Sequence, residues 1–259
     1  MDWNKTKTVF IITFLILDLF LAYQFMVKKN QNDLDFITEA SVEEQLAQEN
    51  ITYEELPKSV EKKTYLNARS LNFIEEDLTK LKGQKIEFLS DYEIQGVFEE
   101  PIPLPSNNTS FRLNQFLKEY IFAGSSYALW HVNKEANVII FYQKHADKLI
   151  YDNTNAMLIV HLNDKNEMVS YEQKLLKDIE KMDDDQEILT PIKALENLFF
   201  KDELKPGSKI TKVSLGYYTF DLPVSSSQVL VPTWHIIVNE EEHYFVNAFE
   251  GQILSKRTN

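Results

Sequence analysis

The sequence predicts an α+β protein: one N-terminal transmembrane helix, then an extracytoplasmic region of antiparallel sheets with packed helices, arranged in two lobes. Three observations predict it. Residues 9–27 are almost wholly apolar, segments of helical and of alternating apolar spacing follow along the chain, and three aspartates interrupt it at 183–185. With 259 residues, 44% of them hydrophobic, the chain is large enough to bury such cores.

The apolar stretch is long enough to cross a bilayer. Nineteen residues at ~1.5 Å each cover roughly 28 Å, about the thickness of a hydrocarbon core. The stretch ends "AYQFMVKKNQ", without the small residues of a signal-peptide cleavage site, so we expect a retained anchor over residues 8–28 after a cytoplasmic tail of residues 1–7. Two lysines flank each side, so charge hardly sets its orientation.

Asp18 lies at the midpoint of this stretch. A carboxylate there costs roughly 2.5–3.5 kcal/mol on insertion scales. At 100° per residue, five apolar residues lie within about 60° of Asp18 and form one stripe with it: Ile11, Phe14, Leu15, Ala22 and Phe25. Either the stripe contacts another membrane helix, where a protonated Asp18 would bond a polar partner, or a single-pass anchor tolerates a lone acid.

The N-terminal letters resemble a known family. "MDWNKTKTVFIITFLILDLFL" is similar to the N-terminal signature of the YycI (WalI) family of Gram-positive bacteria. The resemblance implies a single-pass protein of the cell membrane, with its N-terminus cytoplasmic and most of the chain extracytoplasmic. It also implies two partners, a WalK-like (YycG) sensor histidine kinase that governs cell-wall metabolism and a YycH-like protein.

The first lobe is predicted over residues 29–180. It begins with a polar stalk, "NQNDLDFITEA", and a short helix, "SVEEQLAQEN", for which Ser41 and Glu44 would form a capping box. A second helix is predicted over "SFRLNQFLKEYIF", after a proline-rich loop. Strands are predicted for "TYLNARSLNF", "KIEFLSDYEIQGVF" and two hairpins, "YALWHV" with "VIIFYQ" and "AMLIVHL" with "EMVSYEQ".

The second lobe is predicted over residues 186–259, after a linker "KMDDDQEILTP" that lacks the spacing and glycine of a calcium loop. A helix capped by Thr190, with Pro191 first, precedes three strands, "KITKVSLGYYTF", "VLVPTWHIIV" and "HYFVNAFEGQIL". This layout is similar to PepSY-type modules, which bind or restrain other proteins. Four residues match their pattern loosely, Trp234, Asn247, Ala248 and Gly251, with Asn where Asp is usual.

One internal echo has two interpretations. "WHVNKE" from Trp130 recurs as "WHIIVNEE" from Trp234, each before a predicted turn. Duplicated α+β modules would explain the echo, and so would coincidence between two strands.

Composition limits the classes of function. The formal net charge is −13, with the acidic excess after residue 29, and such a surface repels nucleic acid. The chain has no cysteine, so thiolate metal sites and cysteine nucleophiles are excluded, and its six glycines form no nucleotide-binding loop. The five histidines lack helix-borne zinc spacing, although His131 and His161 could converge in a sheet.

We therefore assign no catalytic, cofactor or metal residue and expect neither enzymatic activity nor a small-molecule substrate. Carboxylate pairs for glycoside cleavage cannot be tested by sequence, because 40 acidic residues allow many pairings. The resemblance to the YycI family implies a non-enzymatic regulator of a sensor histidine kinase, acting with a YycH-like partner through membrane and extracytoplasmic contacts. The alternative is an extracytoplasmic PepSY-type inhibitor or cell-wall-binding protein unrelated to a kinase.

Overall fold

A computed structural model describes residues 3–57, 62–104, 109–219 and 227–258, with backbone alone at 4–6, 9, 25–41, 77 and 109–110. Its helices are α1 (Trp3–Gln48), α2 (Glu75–Leu78), α3 (Thr109–Tyr120), α4 (Pro191–Phe200) and a 3-10 turn at Gly124–Ser126. Its strands are β1 (Thr52–Tyr53), β2 (Lys62–Lys63), β3 (Leu66–Ser70), β4 (Gln84–Ser90), β5 (Glu93–Pro103), β6 (Tyr127–Asn133), β7 (Val138–His145), β8 (Lys148–Tyr151), β9 (Met157–Leu162), β10 (Glu167–Gln173), β11 (Leu176–Lys181), β12 (Gln186–Glu187), β13 (Lys209–Tyr218), β14 (Ser227–Val238), β15 (Glu242–Asn247) and β16 (Ile253–Thr258). The predicted α+β class is confirmed.

Fourteen of the described strands join into one mainly antiparallel network, and β2 pairs with β12 in a separate two-stranded sheet. Within the described ranges its main path runs β11-β3-β14-β13-β8-β7-β9-β10-β5-β4, and β6 pairs with β7 while β15 lies between β14 and β16. Strand β13 pairs with β14 along one edge, and its other edge forms parallel pairs with β1 near its start and with β8 near its end. The two predicted hairpins, β6–β7 and β9–β10, are confirmed, and the single run predicted over "KIEFLSDYEIQGVF" forms a further hairpin, β4–β5.

Two large cores lie under two helices. Helix α3 places Leu113 and Leu117 against Phe141 and Val160 of the β5–β10 region, all fully or almost fully buried. These side chains recur at helical spacing on α3 and at alternating positions on the strands, the periods of the two structures. Phe111 departs from the predicted apolar face, because its side chain is 72% exposed.

The second core lies between α4 and β13–β15. Leu195 and Leu198 of α4 pack with Trp234, and the Trp234 indole N–H donates to the Leu189 carbonyl oxygen at 2.9 Å. Val42 and Leu46, in the last turns of α1, are buried in the same core. Each such fully buried side chain is worth about 1.5–3 kcal/mol, so the end of α1 is held firmly against α4.

The separate helix predicted to begin at Ser41 is wrong, and the predicted polar stalk is helical. Helix α1 runs unbroken from Trp3 to Gln48, through both segments. Residues 3–48 contain neither glycine nor proline, the two strongest helix breakers, so local sequence provides no stop. In the part of the chain that is described, no helix has both the length and the hydropathy for a membrane span. The transmembrane segment therefore stays a prediction.

The C-terminal strands differ in number from the prediction. Helix α4 begins at Pro191 as predicted, and Thr190 precedes it in extended backbone without a side-chain capping bond. The segment predicted as the last strand forms two strands, β15 and β16. The chain turns between them at Gly251, whose positive φ of 69° is readily adopted by glycine. The limits of the two lobes and of the linker stay predictions, although Asp185 forms an ion pair with Lys181.

Candidate functional site

The predicted membrane-contact stripe lies on α1. Ile11, Phe14 and Leu15 are 66%, 58% and 57% exposed, and both Asp18 and Ala22 are exposed as well. Four of these residues, Ile11, Phe14, Leu15 and Asp18, line one surface depression of about 350 Å³ together with Phe10. Phe25 lies on the same helix, but its side chain is outside the described part of the structure. Contact between this stripe and a partner stays a prediction.

A second feature was not assigned from sequence: a layer of aromatic and imidazole rings between β6–β8 and β14–β15. We call it the histidine layer, and its members are Trp130, Tyr142, Tyr151, His235, His243 and Phe245. The Trp130 ring centroid lies 5.1 Å from that of His235 and 5.4 Å from that of His243. The layer therefore joins the β6–β7 hairpin to the C-terminal strands.

Strand alternation decides which side chains enter this layer. Successive residues of a strand point to opposite faces, so Trp234 points into the α4 core while His235 points into the histidine layer. In β6 the tryptophan of the pair, Trp130, belongs to the histidine layer, whereas in β14 the histidine of the pair does. The two Trp-His pairs of the sequence echo thus occupy different positions, and the layer joins Trp130 of one pair with His235 of the other.

The two histidines of the layer bond to each other. His235 Nε2 lies 2.9 Å from His243 Nδ1, with the rings stacked at 18°. Both side chains are buried, and the bond requires that one facing nitrogen carry a proton and the other accept. Burial lowers the pKa of His235 to about 3, assisted by repulsion from His243 and Lys212. Burial also lowers the pKa of His243, with repulsion from His131 and Lys212.

A pocket of about 290 Å³ opens beside this pair. Its walls include Trp130, His131, Tyr142, His243, Phe245 and Arg257. Arg257 Nη2 forms an ion pair with Asp152 Oδ2 at the rim, where the Asp152 side chain is mostly buried. Burial, followed by repulsion from Asp152, raises the pKa of the Tyr142 hydroxyl to about 12. At neutral pH the Tyr142 hydroxyl and the His243 imidazole in its walls are thus uncharged, and the Arg257 cation lies at its edge.

The metal site considered from sequence does not form. His131 lines the pocket near His243, whereas His161 Nε2 lies 3.3 Å from Glu172 Oε1 on the β9–β10 hairpin. Among the described residues, no three His, Asp or Glu side chains are grouped as metal ligands. With the imidazoles of His235 and His243 held neutral by burial, the arrangement offers a ring-lined pocket rather than a set of metal ligands.

The histidine pair had one weak signal in the sequence. His235 and His243 lie on strands joined by a short turn, and the observed register pairs Ile237 with His243. Diagonal neighbours on one face of a hairpin lie within reach of long side chains. The signal depends on the register, and a shift of one residue would place the two rings on opposite faces.

Two solved structures are similar to the chain at low identity. One is an uncharacterized protein from Eubacterium rectale, at 10% identity and a TM-score of 0.45, with 80% of this chain and 91% of that chain covered. The other is the Bacillus megaterium YpeB C-terminal domain, at 13% identity and a TM-score of 0.41, with 71% and 92% covered. These scores are too low to carry an argument about fold or function. None of the curated proteins compared with the chain matches it.

One family model matches the chain over most of its length. The model described as YycI protein matches residues 29–249, which is most of the chain. It begins after the apolar stretch that resembles the family signature, so the two observations rest on different residues. The chain belongs to the YycI family.

Proposed function

We propose that the protein is a non-enzymatic accessory regulator of a WalK-like sensor histidine kinase that controls cell-wall metabolism, acting with a YycH-like partner. The family match over residues 29–249 carries this proposal, because the family is one of regulatory accessory proteins of that kinase pathway. Residues 8–28 anchor the chain in the cell membrane, and residues 1–7 face the cytoplasm. The rest of the chain is extracytoplasmic, beside the outer domain of the kinase.

The stripe on α1 supplies the membrane contact. Phe14 and Leu15 present exposed apolar surface on the same face as Asp18. A carboxyl in hydrocarbon is costly alone and is stabilised by a polar group on a neighbouring helix. Asp18 therefore favours an assembled state over an isolated anchor.

Helix α1 also offers a route from the membrane to the ectodomain. It is continuous to Gln48, and Val42 and Leu46 are fixed in the core under α4. If the stripe shifted against a partner helix, the continuous α1 would transmit that movement to the core under α4. Such a device biases the kinase only if the contacts differ in free energy between its two signalling states.

The test replaces Asp18 with leucine in the full chain. Phe20→Leu is the matched control, because Phe20 lies 200° from Asp18 on the same helix and is also exposed. We expect Asp18→Leu to reduce co-purification with the kinase and the YycH-like protein and to change transcription of kinase-controlled genes, whereas Phe20→Leu does neither. Unchanged assembly and output in Asp18→Leu would contradict the helix contact.

The PepSY-like alternative has one observation in its favour, the order of α4 followed by antiparallel strands β13 to β16. Deleting residues 186–259 is a poor test, because it would remove the partners of Val42 and Leu46. Protease inhibition, or binding to wall polymer, by the full chain would favour the alternative if it persisted in cells lacking the kinase.

A further inference from the structure

We propose that the pocket beside the histidine layer binds a small carboxylate that carries one ring. The proposal concerns a site between β6–β7 and β15–β16 and is independent of the kinase-regulator function. Three features of the pocket carry it: its aromatic walls, the charge at its rim and its size.

The walls suit the flat face of a ring. Trp130 is half-buried, and its indole lies 4.9 Å from the Tyr142 ring, centroid to centroid, at an angle of 32°. Phe245, itself buried, adds a third aromatic surface to the lining. Aromatic faces bind sugar C–H surfaces or other aromatic rings, and the half-exposed indole is the part that a ligand would cover.

The charge at the rim suits an anion. Arg257 is half-exposed, and a guanidinium has five N–H donors, more than one Asp152 oxygen can use. Lys212 adds positive potential at the two histidines, the same repulsion that helps to lower their pKa values. None of the residues that line the pocket is acidic, although the chain carries a net charge of −13. A carboxylate at Arg257 would thus share the guanidinium with the Asp152 carboxylate at the rim and would meet no acidic residue in the lining.

The size limits the ligand to one ring. A volume of about 290 Å³ lies at the lower end of small-molecule pockets, which run from roughly 300 to 1,000 Å³. A monosaccharide with a carboxylate or an aromatic acid fits these limits. For ligands of this size we expect a Kd of about 1 mM.

The experiment measures binding to the full chain in detergent by saturation-transfer NMR titration. The probes are glucuronate, benzoate, glucose and acetate, so that ring and carboxylate are present together or singly. Arg257→Gln removes the cation, and Arg69→Gln is the matched control, an exposed arginine on β3 outside the pocket. We expect Arg257→Gln to weaken the binding of ring carboxylates about tenfold or more, since a bond to a charged group is lost.

The outcomes are distinct. Saturable binding of glucuronate, of benzoate or of both, stronger than binding of glucose and acetate and weakened only by Arg257→Gln, supports the proposal and identifies the kind of ring. No saturation up to about 30 mM, well above the expected Kd, overturns it. Equal binding of acetate or glucose, or equal losses in Arg257→Gln and Arg69→Gln, overturns it too. Protein folding is checked by circular dichroism for each variant.

Discussion

His235 Nε2 lies 2.9 Å from His243 Nδ1, in a layer where every other ring contact of His235 is to an aromatic residue. These contacts are to Trp130, Tyr151 and Phe245, none of which can stabilise an imidazolium with a negative charge. The pair is therefore held neutral by burial. It also joins two adjacent strands by side chains in addition to their backbone ladder.

This pair predicts a dependence of stability on pH. The pKa of His235 is lowered to about 3 in the folded chain and that of His243 is also lowered, whereas both return to about 6.5 on unfolding. The contribution is fully present above pH ~6.5 and is lost as the pH falls toward 3, because only the unfolded chain then binds the protons. We expect each neutral histidine to lower the free energy of unfolding by up to about 1.4 kcal/mol per pH unit below 6.5.

Urea denaturation of the full chain between about pH 7.5 and 5 measures this slope. His235→Gln should flatten it, since the amide does not titrate, whatever its effect on absolute stability. His161→Gln is the control, because His161 is half-exposed on β9. An unchanged slope in His235→Gln would assign the pH dependence to other groups.

Gly216 allows the close packing of β13 against β8. A Cβ atom there would overlap the Tyr151 ring and the Leu149 carbonyl oxygen. We expect Gly216→Ala to lower the free energy of unfolding by about 1–3 kcal/mol, as overpacking does. Lys209→Ala, at an exposed position of the same strand, should change it by less than about 0.5 kcal/mol. Equal denaturation midpoints for the two variants would contradict this account.

Asn247 holds the turn between β15 and β16. Its Oδ1 accepts hydrogen bonds from the backbone N–H groups of Phe249, at 2.8 Å, and Glu250, at 3.3 Å. Asn247→Ala removes this acceptor and should cost about 1–2 kcal/mol of unfolding free energy. Asn247→Asp keeps an oxygen in place and should be closer to wild type at neutral pH. Thermal unfolding of both variants tests the order, and Asp no better than Ala would refute it.

The Gln143 side-chain amide bonds the backbone N–H and carbonyl of Leu176, as the backbone of a paired strand would. Its Nε2 donates to the Leu176 carbonyl oxygen and its Oε1 accepts from the Leu176 N–H, both at 2.8 Å, and the side chain is buried. We expect Gln143→Leu to cost about 2–4 kcal/mol, because two buried backbone groups lose this partner. Gln115→Leu, exposed on α3, is the control for the same change of side chain. Hydrogen exchange at the Leu176 amide should accelerate only in Gln143→Leu.

Local sequence was sufficient where one element buries one face. The spacing of Leu113 and Leu117 predicted α3, and alternation predicted β9, whose Leu158 and Val160 are buried. It failed at Ser41, where a capping pattern predicted the start of a separate helix although nothing in the preceding residues ends helix α1. It also missed short strands such as β8, whose four residues carry no periodic signal and are fixed by pairing with β7 and β13.

The sequence by itself determined the family, through the match over residues 29–249. It also determined the acidic, cysteine-free character of the chain and the stripe around Asp18, because these depend on composition and on neighbours along one helix. Only the tertiary structure decided that His235 meets His243, that Trp130 covers them and that Arg257 lies at the pocket rim. Those contacts join β6, β14, β15 and β16. Their geometry depends on strand register and sheet packing, and both are set by long-range contacts that no local pattern specifies.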